Sequence, residues 1–146
     1  MTNIGSLMIK RGNNSWAILF GRAVTTHKKV NSINQGWGHL ILGDAALSLH
    51  NFLDAKQQFA AAMLIFENDL QKAQNLPEPQ RDRKMQQAKG NIRWTQIHLL
   101  KSELLLGDKQ AGQTLKELEA DWWAIDPEAS TMAGLFYAEQ VLHSNR

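Results

Sequence analysis

Residues 42–73 read LGDAALSLHNFLDAKQQFAAAMLIFENDLQKA, and this stretch decides the fold. Its apolar and small residues recur at steps of three and four, which predicts one face of an α-helix of about six turns. Asn51 suits the N-cap of that helix, and Asp54 lies in the first turn, where the helix dipole favours a negative charge. Pro77 and Pro79 then end the helix. The residues on the predicted face are Phe52, Ala55, Phe59, Ala62, Met63, Phe66, Leu70 and Ala73.

Four further helices are predicted on the same grounds, over residues 34–50, 82–106, 108–125 and 128–143. Gly107 suits the end of one of them, because glycine readily adopts the left-handed conformation that follows a helix. The connections are short, so consecutive helices should lie side by side and antiparallel. The sequence therefore predicts an all-α fold of about five helices arranged as antiparallel hairpins.

The turn in the quoted stretch resembles one tetratricopeptide repeat (TPR). In that family a small residue lies where two helices cross closely and a bulky residue fills the gap between them. Gly43 and Phe59 have these properties. A second, poorer match runs over residues 92–127, and Gly134 with Tyr137 resembles the first helix of a terminal cap. The residues that carry the main resemblance are Leu42, Gly43, Ala46, His50, Asn51, Phe52, Leu53, Asp54, Ala55, Phe59 and Ala62.

The chain also departs from the family pattern. Ala55 and Ala111 occupy matching positions but lie 56 residues apart (111 − 55), whereas the repeat is about 34 residues long. His39 stands where a tryptophan is common. The turn before Ala111 is one residue short, so the register of the preceding helix stays open. The resemblance covers residues 36–145, and an ordinary helical bundle whose small residues imitate the repeat is the alternative.

The resemblance implies a groove, because the first helix of each TPR hairpin lines the concave face. Such a groove would suit a peptide or helix of a partner protein. Its basic residues favour an acidic or amphipathic partner. The competing interpretation is that these residues form a solvated surface or pack between helices. The residues implied to line the groove are Trp37, Leu40, Asp44, Leu47, Lys89, Arg93, Gln96 and Leu100.

Charge is distributed unevenly along the chain. The 146 residues include 16 Lys and Arg against 14 Asp and Glu, and a net charge of +2 is too small to imply a nucleic-acid or membrane partner. Residues 1–40 nevertheless contain five basic residues and no acid, and residues 81–100 contain five basic residues and one acid. Residues 41–80 and 101–146 carry a net negative charge.

Residues 1–35 are predicted to be a basic, acid-free N-terminal arm that precedes a helical domain over residues 36–146. The arm is rich in Gly, Asn, Ser and Thr, which is typical of a short β-hairpin or of an irregular segment with one helical turn. Three interpretations of it stay open. It lies on an acidic partner or on an acidic face of its own chain, it is a transit-like segment, or it is a loosely structured extension.

Nothing in the sequence points to catalysis, a cofactor or a metal. The chain has no cysteine, which excludes a thiol nucleophile and a thiolate metal site. Phosphate-binding glycine loops, nucleophile-elbow motifs and HExxH motifs are absent. His39, His50 and His98 are therefore interpreted as surface or partly packed histidines. We expect a protein that is not an enzyme and that carries no catalytic, cofactor-binding or metal-binding residue.

The leading hypothesis is a non-enzymatic protein–protein interaction module, either an adaptor or a small chaperone. The alternative is a nucleic-acid-associated accessory protein that uses residues 10–29 and 81–93. A third hypothesis is a homo-oligomeric structural subunit, because an incomplete array of repeats leaves apolar end surfaces. No apolar run approaches the length of about 18 residues that would span a membrane, and a cytoplasmic location is expected.

Overall fold

A computed structural model describes residues 14–144, with side chains through Leu142. This part of the chain forms six helices and no strand, so the predicted all-α class is confirmed and the predicted number of about five helices is corrected to six. No helix between residues 14 and 144 combines the length and the apolar character that crossing a bilayer requires. The helices are α1 (Asn14–Thr26), α2 (Ser32–Ser48), α3 (Phe52–Ala73), α4 (Gln80–Leu105), α5 (Lys109–Trp122) and α6 (Pro127–Ser144).

The additional helix, α1, lies in the segment for which the sequence predicted a hairpin or an irregular arm. Ala17, Gly21 and Val24 recur at steps of four and three and are buried. Gly21 and Val24 approach Gly38 of α2, so packing rather than helix propensity stabilises the segment. α2 also begins before residue 36, at Ser32. The remainder of the predicted arm, residues 1–13, lies outside the described residues.

The ends of the helices follow the signals in the sequence. The side-chain oxygens of Asn51 and Asp108 accept hydrogen bonds from backbone N–H groups in the first turns of α3 and α5, at 3.4 Å and 3.0 Å. His50 follows α2 with a φ of 59°, and Gly107 follows α4 with a φ of 105°. Both residues adopt the left-handed conformation that ends a helix, as predicted for Gly107.

α2 and α3 pack closely because α2 carries glycines at the contact. A methyl group added at Gly43 would overlap the ring of Phe59, and one added at Gly36 would overlap the ring of Phe66. Gly43 and Phe59, the small and the bulky residue of the stretch quoted first, therefore lie against each other. In these two contacts the residue number rises along α2 as it falls along α3.

Two clusters of buried side chains form the core. The first joins α2 and α3, with Phe59 and Phe66 at its centre. The second joins α4, α5 and α6 around Ile97 and Leu115. Trp94 of α4 packs against both clusters, so α4 connects the two halves of the molecule.

We expect Gly43→Ala to lower the free energy of unfolding by about 1–3 kcal/mol, because the added methyl group overfills the contact with Phe59. Gly90→Ala is the matched control. A methyl group at Gly90 would meet only the tip of Arg93, at 4.0 Å. That substitution should raise the free energy of unfolding by about 0.5–1 kcal/mol, because alanine favours a helix interior. Urea denaturation measures both values, and equal effects would contradict the prediction.

Candidate functional site

His98 of α4 lies at the point where side chains from three other helices meet. Its side chain is only 8% exposed. Its ring centroid lies 5.4 Å from that of Phe59 on α3 and 5.2 Å from that of Phe136 on α6. The ring of Trp94, one turn earlier on α4, is 5.1 Å away. Asp44 of α2 completes the surroundings, with its carboxylate oxygen 3.6 Å from Nε2 of the histidine.

One hydrogen bond of His98 determines which of its ring nitrogens carries hydrogen. Nδ1 is 2.8 Å from the backbone oxygen of Trp94, and a carbonyl oxygen can only accept, so Nδ1 carries hydrogen and donates it. In a neutral imidazole, Nε2 would then direct a lone pair at the Asp44 carboxylate. The contact is favourable only when a further proton is present, on Nε2 or on the carboxyl group. The pair therefore links proton binding to packing at the centre of the molecule.

The Asp44 carboxyl has an unusual acidity for a physical reason. Burial raises its pKa above the ordinary value of 3.8, because the charged form loses hydration. The charges of His98 and Lys101 act in the opposite direction but do not compensate for burial. The neutral form of this carboxyl is therefore favoured more in the folded chain than in the unfolded chain.

The polar contacts continue from α4 to α6. Lys101 Nζ lies 3.3 Å from Glu139 Oε2 and 4.3 Å above the ring of Phe136. Asp44 and His98 thus join α2 to α4, and Lys101 and Glu139 join α4 to α6 about one turn further along α4. We call these four residues the polar row. Glu139 is more than half exposed, whereas Lys101 and His98 are largely covered.

We expect Asp44→Asn to stabilise the protein near neutral pH, because asparagine resembles the neutral carboxyl group that the folded state favours. A raised folded pKa means that wild-type stability increases as the pH falls through that pKa towards 3.8, where the unfolded chain also binds the proton. The advantage of the variant should therefore shrink as the pH falls through the same interval.

Urea denaturation at a series of pH values measures this difference. Asp121→Asn, which removes an exposed carboxyl on α5, corrects for the loss of one negative charge. An Asp44→Asn advantage that grows with falling pH would contradict the prediction.

The four residues predicted to line a groove from α2 do not share one environment. Trp37 is partly buried, with its ring edge against Phe66 at a centroid distance of 6.3 Å. Asp44 belongs to the polar row, and Leu47 packs partly buried on the first core cluster. Leu40 is only 3% exposed, so it is a core residue and not part of a partner surface.

The four residues predicted from α4 face mainly away from α2. Lys89 is exposed and Gln96 is partly buried. Arg93 donates from Nε to Asp126 Oδ2 at 2.8 Å, and both side chains are only about one fifth exposed. Leu100 packs on the second core cluster. These contacts arise because the face of α4 that carries Arg93 and Leu100 is turned towards α5 and α6.

Three side chains of α4 that belong to the polar row or lie beside it were not singled out as site residues from the sequence. They are Trp94, His98 and Lys101, which follow one another at steps of four and three. Their spacing is a helical signal, but the wide apolar arc of this helix hides which side faces which neighbour. Glu139 of α6 was missed for the same reason. No group of three His, Asp or Glu side chains within residues 14–144 could hold a metal ion.

The basic segment at the start of α4 is partly neutralised. Arg81 donates to Glu78 at 2.6 Å, and Arg93 is paired as described. Arg83 and Lys84 remain exposed. The use of residues 10–29 and 81–93 for nucleic acid stays a prediction, and residues 10–13 lie outside the described part.

A cavity of about 190 Å³ lies between the start of α2, the end of α3 and the first half of α4. Ser32 Oγ donates to Asp69 Oδ1 at 2.7 Å in its wall, while the buried Asp69 Oδ2 has no hydrogen-bond partner among the described residues. Lys84 and Asn91 also line this cavity. It is a second polar feature at one end of the contact between α2 and α4.

Comparisons of the chain with protein-family models, with curated proteins and with solved structures found no significant match.

Proposed function

We propose that this protein is a non-enzymatic, TPR-like interaction module that binds a peptide or helix of a partner protein across the polar row. It would act as an adaptor or as a small chaperone. The observation that carries the proposal is the polar row itself, because its two pairs of polar side chains join α2 to α4 and α4 to α6. A ligand lying along the polar row would contact three alternate helices at once.

The order of the contacts supports the TPR-like arrangement. His98 meets Phe136 and Lys101 meets Glu139, so residue numbers rise together along α4 and α6. Along α2 and α3 they run in opposite directions, as described above. In a TPR-like array the first helices of successive hairpins run parallel and share one surface. On this assignment α2 and α4 are first helices, α3 and α5 are second helices, and α6 begins a further hairpin.

The chemistry of the row suggests the kind of partner. The row contains one ammonium group, that of Lys101, and two carboxyl groups, those of Asp44 and Glu139, so it is not a basic patch. Arg93 is paired with Asp126 and is therefore not available to attract an acidic partner. We propose an amphipathic partner whose own basic side chain meets the exposed Glu139. Its apolar side would cover the partly buried Trp37 and Leu47.

The experiment compares Glu139→Gln with Glu67→Gln, two variants that lose the same charge. Glu67 lies exposed on α3, outside the row. Affinity purification with wild-type bait identifies the partner, and titration calorimetry then measures its binding. A charge-assisted hydrogen bond contributes about 1.5–3 kcal/mol, so Glu139→Gln should weaken binding by about 10- to 150-fold. Glu67→Gln should leave binding unchanged.

Circular dichroism verifies that both variants keep the wild-type helix content. A folded Glu139→Gln variant that binds the partner as tightly as the wild type would remove the polar row from consideration as the binding surface.

A further inference from the structure

The last helix exposes an apolar face. Leu135 and Leu142 of α6 are 51% and 66% exposed, and Ala138 lies exposed between them. Steps of three and four place the three side chains on one side of the helix. The other sides of α6 are occupied by α5 and α4, through contacts that include Ser130 with α5 and Phe136 with α4. α6 therefore has one side that no helix of the described chain covers.

If α6 began a further hairpin, the second helix of that hairpin would pack against this uncovered side. Along α2, the contacts with α1 (Gly38 and Leu42) and with α3 (Gly36 and Gly43) differ by about a third of a turn, at about 100° per residue. The same rotation can be applied to α6.

On α6, the contacts with α5 are made by Ser130, Gly134 and Tyr137. A rotation of about a third of a turn in the same sense reaches Leu135 and Leu142. α6 thus presents to solvent the side that α2 presents to α3.

The first helix, α1, also has one uncovered side. α1 buries Ala17, Gly21 and Val24, and it contacts α2. Its opposite side presents Leu19, which is 56% exposed, and Ala23. In the arrangement proposed above, α1 stands where the second helix of a preceding hairpin would stand. Within residues 14–144, α1 is therefore a second helix without its first helix, and α6 is a first helix without its second.

The charges at the two ends are opposite. Residues 1–43 contain five Lys and Arg and no Asp or Glu, whereas residues 117–145 contain six Asp and Glu and no Lys or Arg. Arg22 of α1 and Lys28, two residues after the end of α1, are exposed, and they belong to no ion pair among the described residues. Glu128 is exposed at the start of α6. Association of the two ends would bring these charges together.

We propose that α6 of one molecule packs against α1 of a second copy, which completes one helical hairpin between the two molecules. We assign a second copy as the occupant because every molecule carries both uncovered sides, one on α1 and one on α6. The segments around these two helices also carry opposite net charge. The contact is head to tail, so the assembly grows into chains unless the rotation closes a ring. The inference uses the ends of the molecule and does not depend on the polar row.

The test introduces a charge into each face separately. Leu135→Glu disrupts the α6 side, Leu19→Glu disrupts the α1 side, and Leu64→Glu is the matched control. Leu64 lies on α3 and is 68% exposed, more than either of the other two leucines. Sedimentation velocity of the wild type and of Leu64→Glu should show association that weakens as salt is added. Leu135→Glu and Leu19→Glu should each be monomeric, with unchanged circular dichroism.

Mixing the two monomeric variants gives the decisive measurement. Leu19→Glu keeps an intact α6 side and Leu135→Glu keeps an intact α1 side, so the equimolar mixture should form a one-to-one dimer that grows no further. A wild-type chain that stays monomeric at every concentration overturns the proposal. So does a Leu19→Glu variant that still dimerises alone, because that result would mean that α6 pairs with α6.

Discussion

Replacing Phe59 with alanine is expected to lower the free energy of unfolding by about 3–5 kcal/mol, the largest effect of any single substitution considered for this chain. The Phe59 side chain is fully buried. It fills the space above Gly43 on α2 and also contacts the ring of His98 on α4. Truncation would leave a cavity at the junction of three helices, and Gly43 has no side chain that could move to fill it. Urea denaturation measures the loss.

Leu64→Ala is the control for Phe59→Ala, because it truncates an exposed apolar side chain on the same helix. Its effect should stay within about 0.5 kcal/mol of zero. A domain of this size has a total stability of about 5–15 kcal/mol, so Phe59→Ala should unfold at a visibly lower urea concentration. Similar midpoints for the two variants would mean that the contact between Gly43 and Phe59 is not the centre of the first core cluster.

The helices from α2 to α6 could be predicted because their signals are local. The apolar residues of the predicted face begin at Phe52 and end at Ala73, which are the observed first and last residues of α3. Caps at Asn51 and Asp108 and the left-handed glycine at position 107 are encoded by one or two residues each. Signals of this kind need no knowledge of the neighbouring helices.

α1 could not be predicted in the same way, because packing defines it and its composition does not. Its buried residues are small, and two of its contacts depend on Gly21 and Gly38 lying face to face on different helices. A sequence rich in Gly, Asn and Thr is typical of loops. Only the existence of α2 beside it makes the helical conformation of residues 14–26 favourable.

The polar row shares only Asp44 with the groove that the sequence analysis predicted, for a related reason. A surface shared by α2 and α4 was expected, and Asp44 does contact α4. The rotation of α4 about its axis was not determined by the sequence, because its apolar residues extend around much of the helix. If α4 is assigned the wrong rotation about its axis, Arg93 and Leu100 are predicted at the shared surface in place of His98 and Lys101. The identity of the site residues therefore depends on tertiary packing, whereas the helix that carries them does not.

Asp126→Ala is expected to lower the free energy of unfolding by about 2–4 kcal/mol, because the Asp126 carboxylate accepts two hydrogen bonds, one from a backbone N–H and one from an arginine. Oδ1 accepts a hydrogen bond from the backbone N–H of Ala129 at 3.1 Å and so caps the start of α6. Oδ2 accepts from Arg93 Nε of α4 at 2.8 Å. A lost cap reduces stability by about 0.5–2 kcal/mol, and a lost hydrogen bond to a charged group by about 1.5–3 kcal/mol.

Asp126→Asn separates the two tasks, because asparagine caps a helix about as well as aspartate but cannot form the ion pair. Asp126→Asn should therefore lower the free energy of unfolding by about 1 kcal/mol less than Asp126→Ala does. Combining Asp126→Asn with Arg93→Met in a double-mutant cycle measures the coupling between the two side chains. Asp121→Ala, at an exposed position near the end of α5, controls for the loss of an aspartate. If Asp126→Ala were no more destabilising than Asp121→Ala, Arg93 would be free to serve a partner after all, and the assignment of Arg93 to the junction of α4 and α6 would fail.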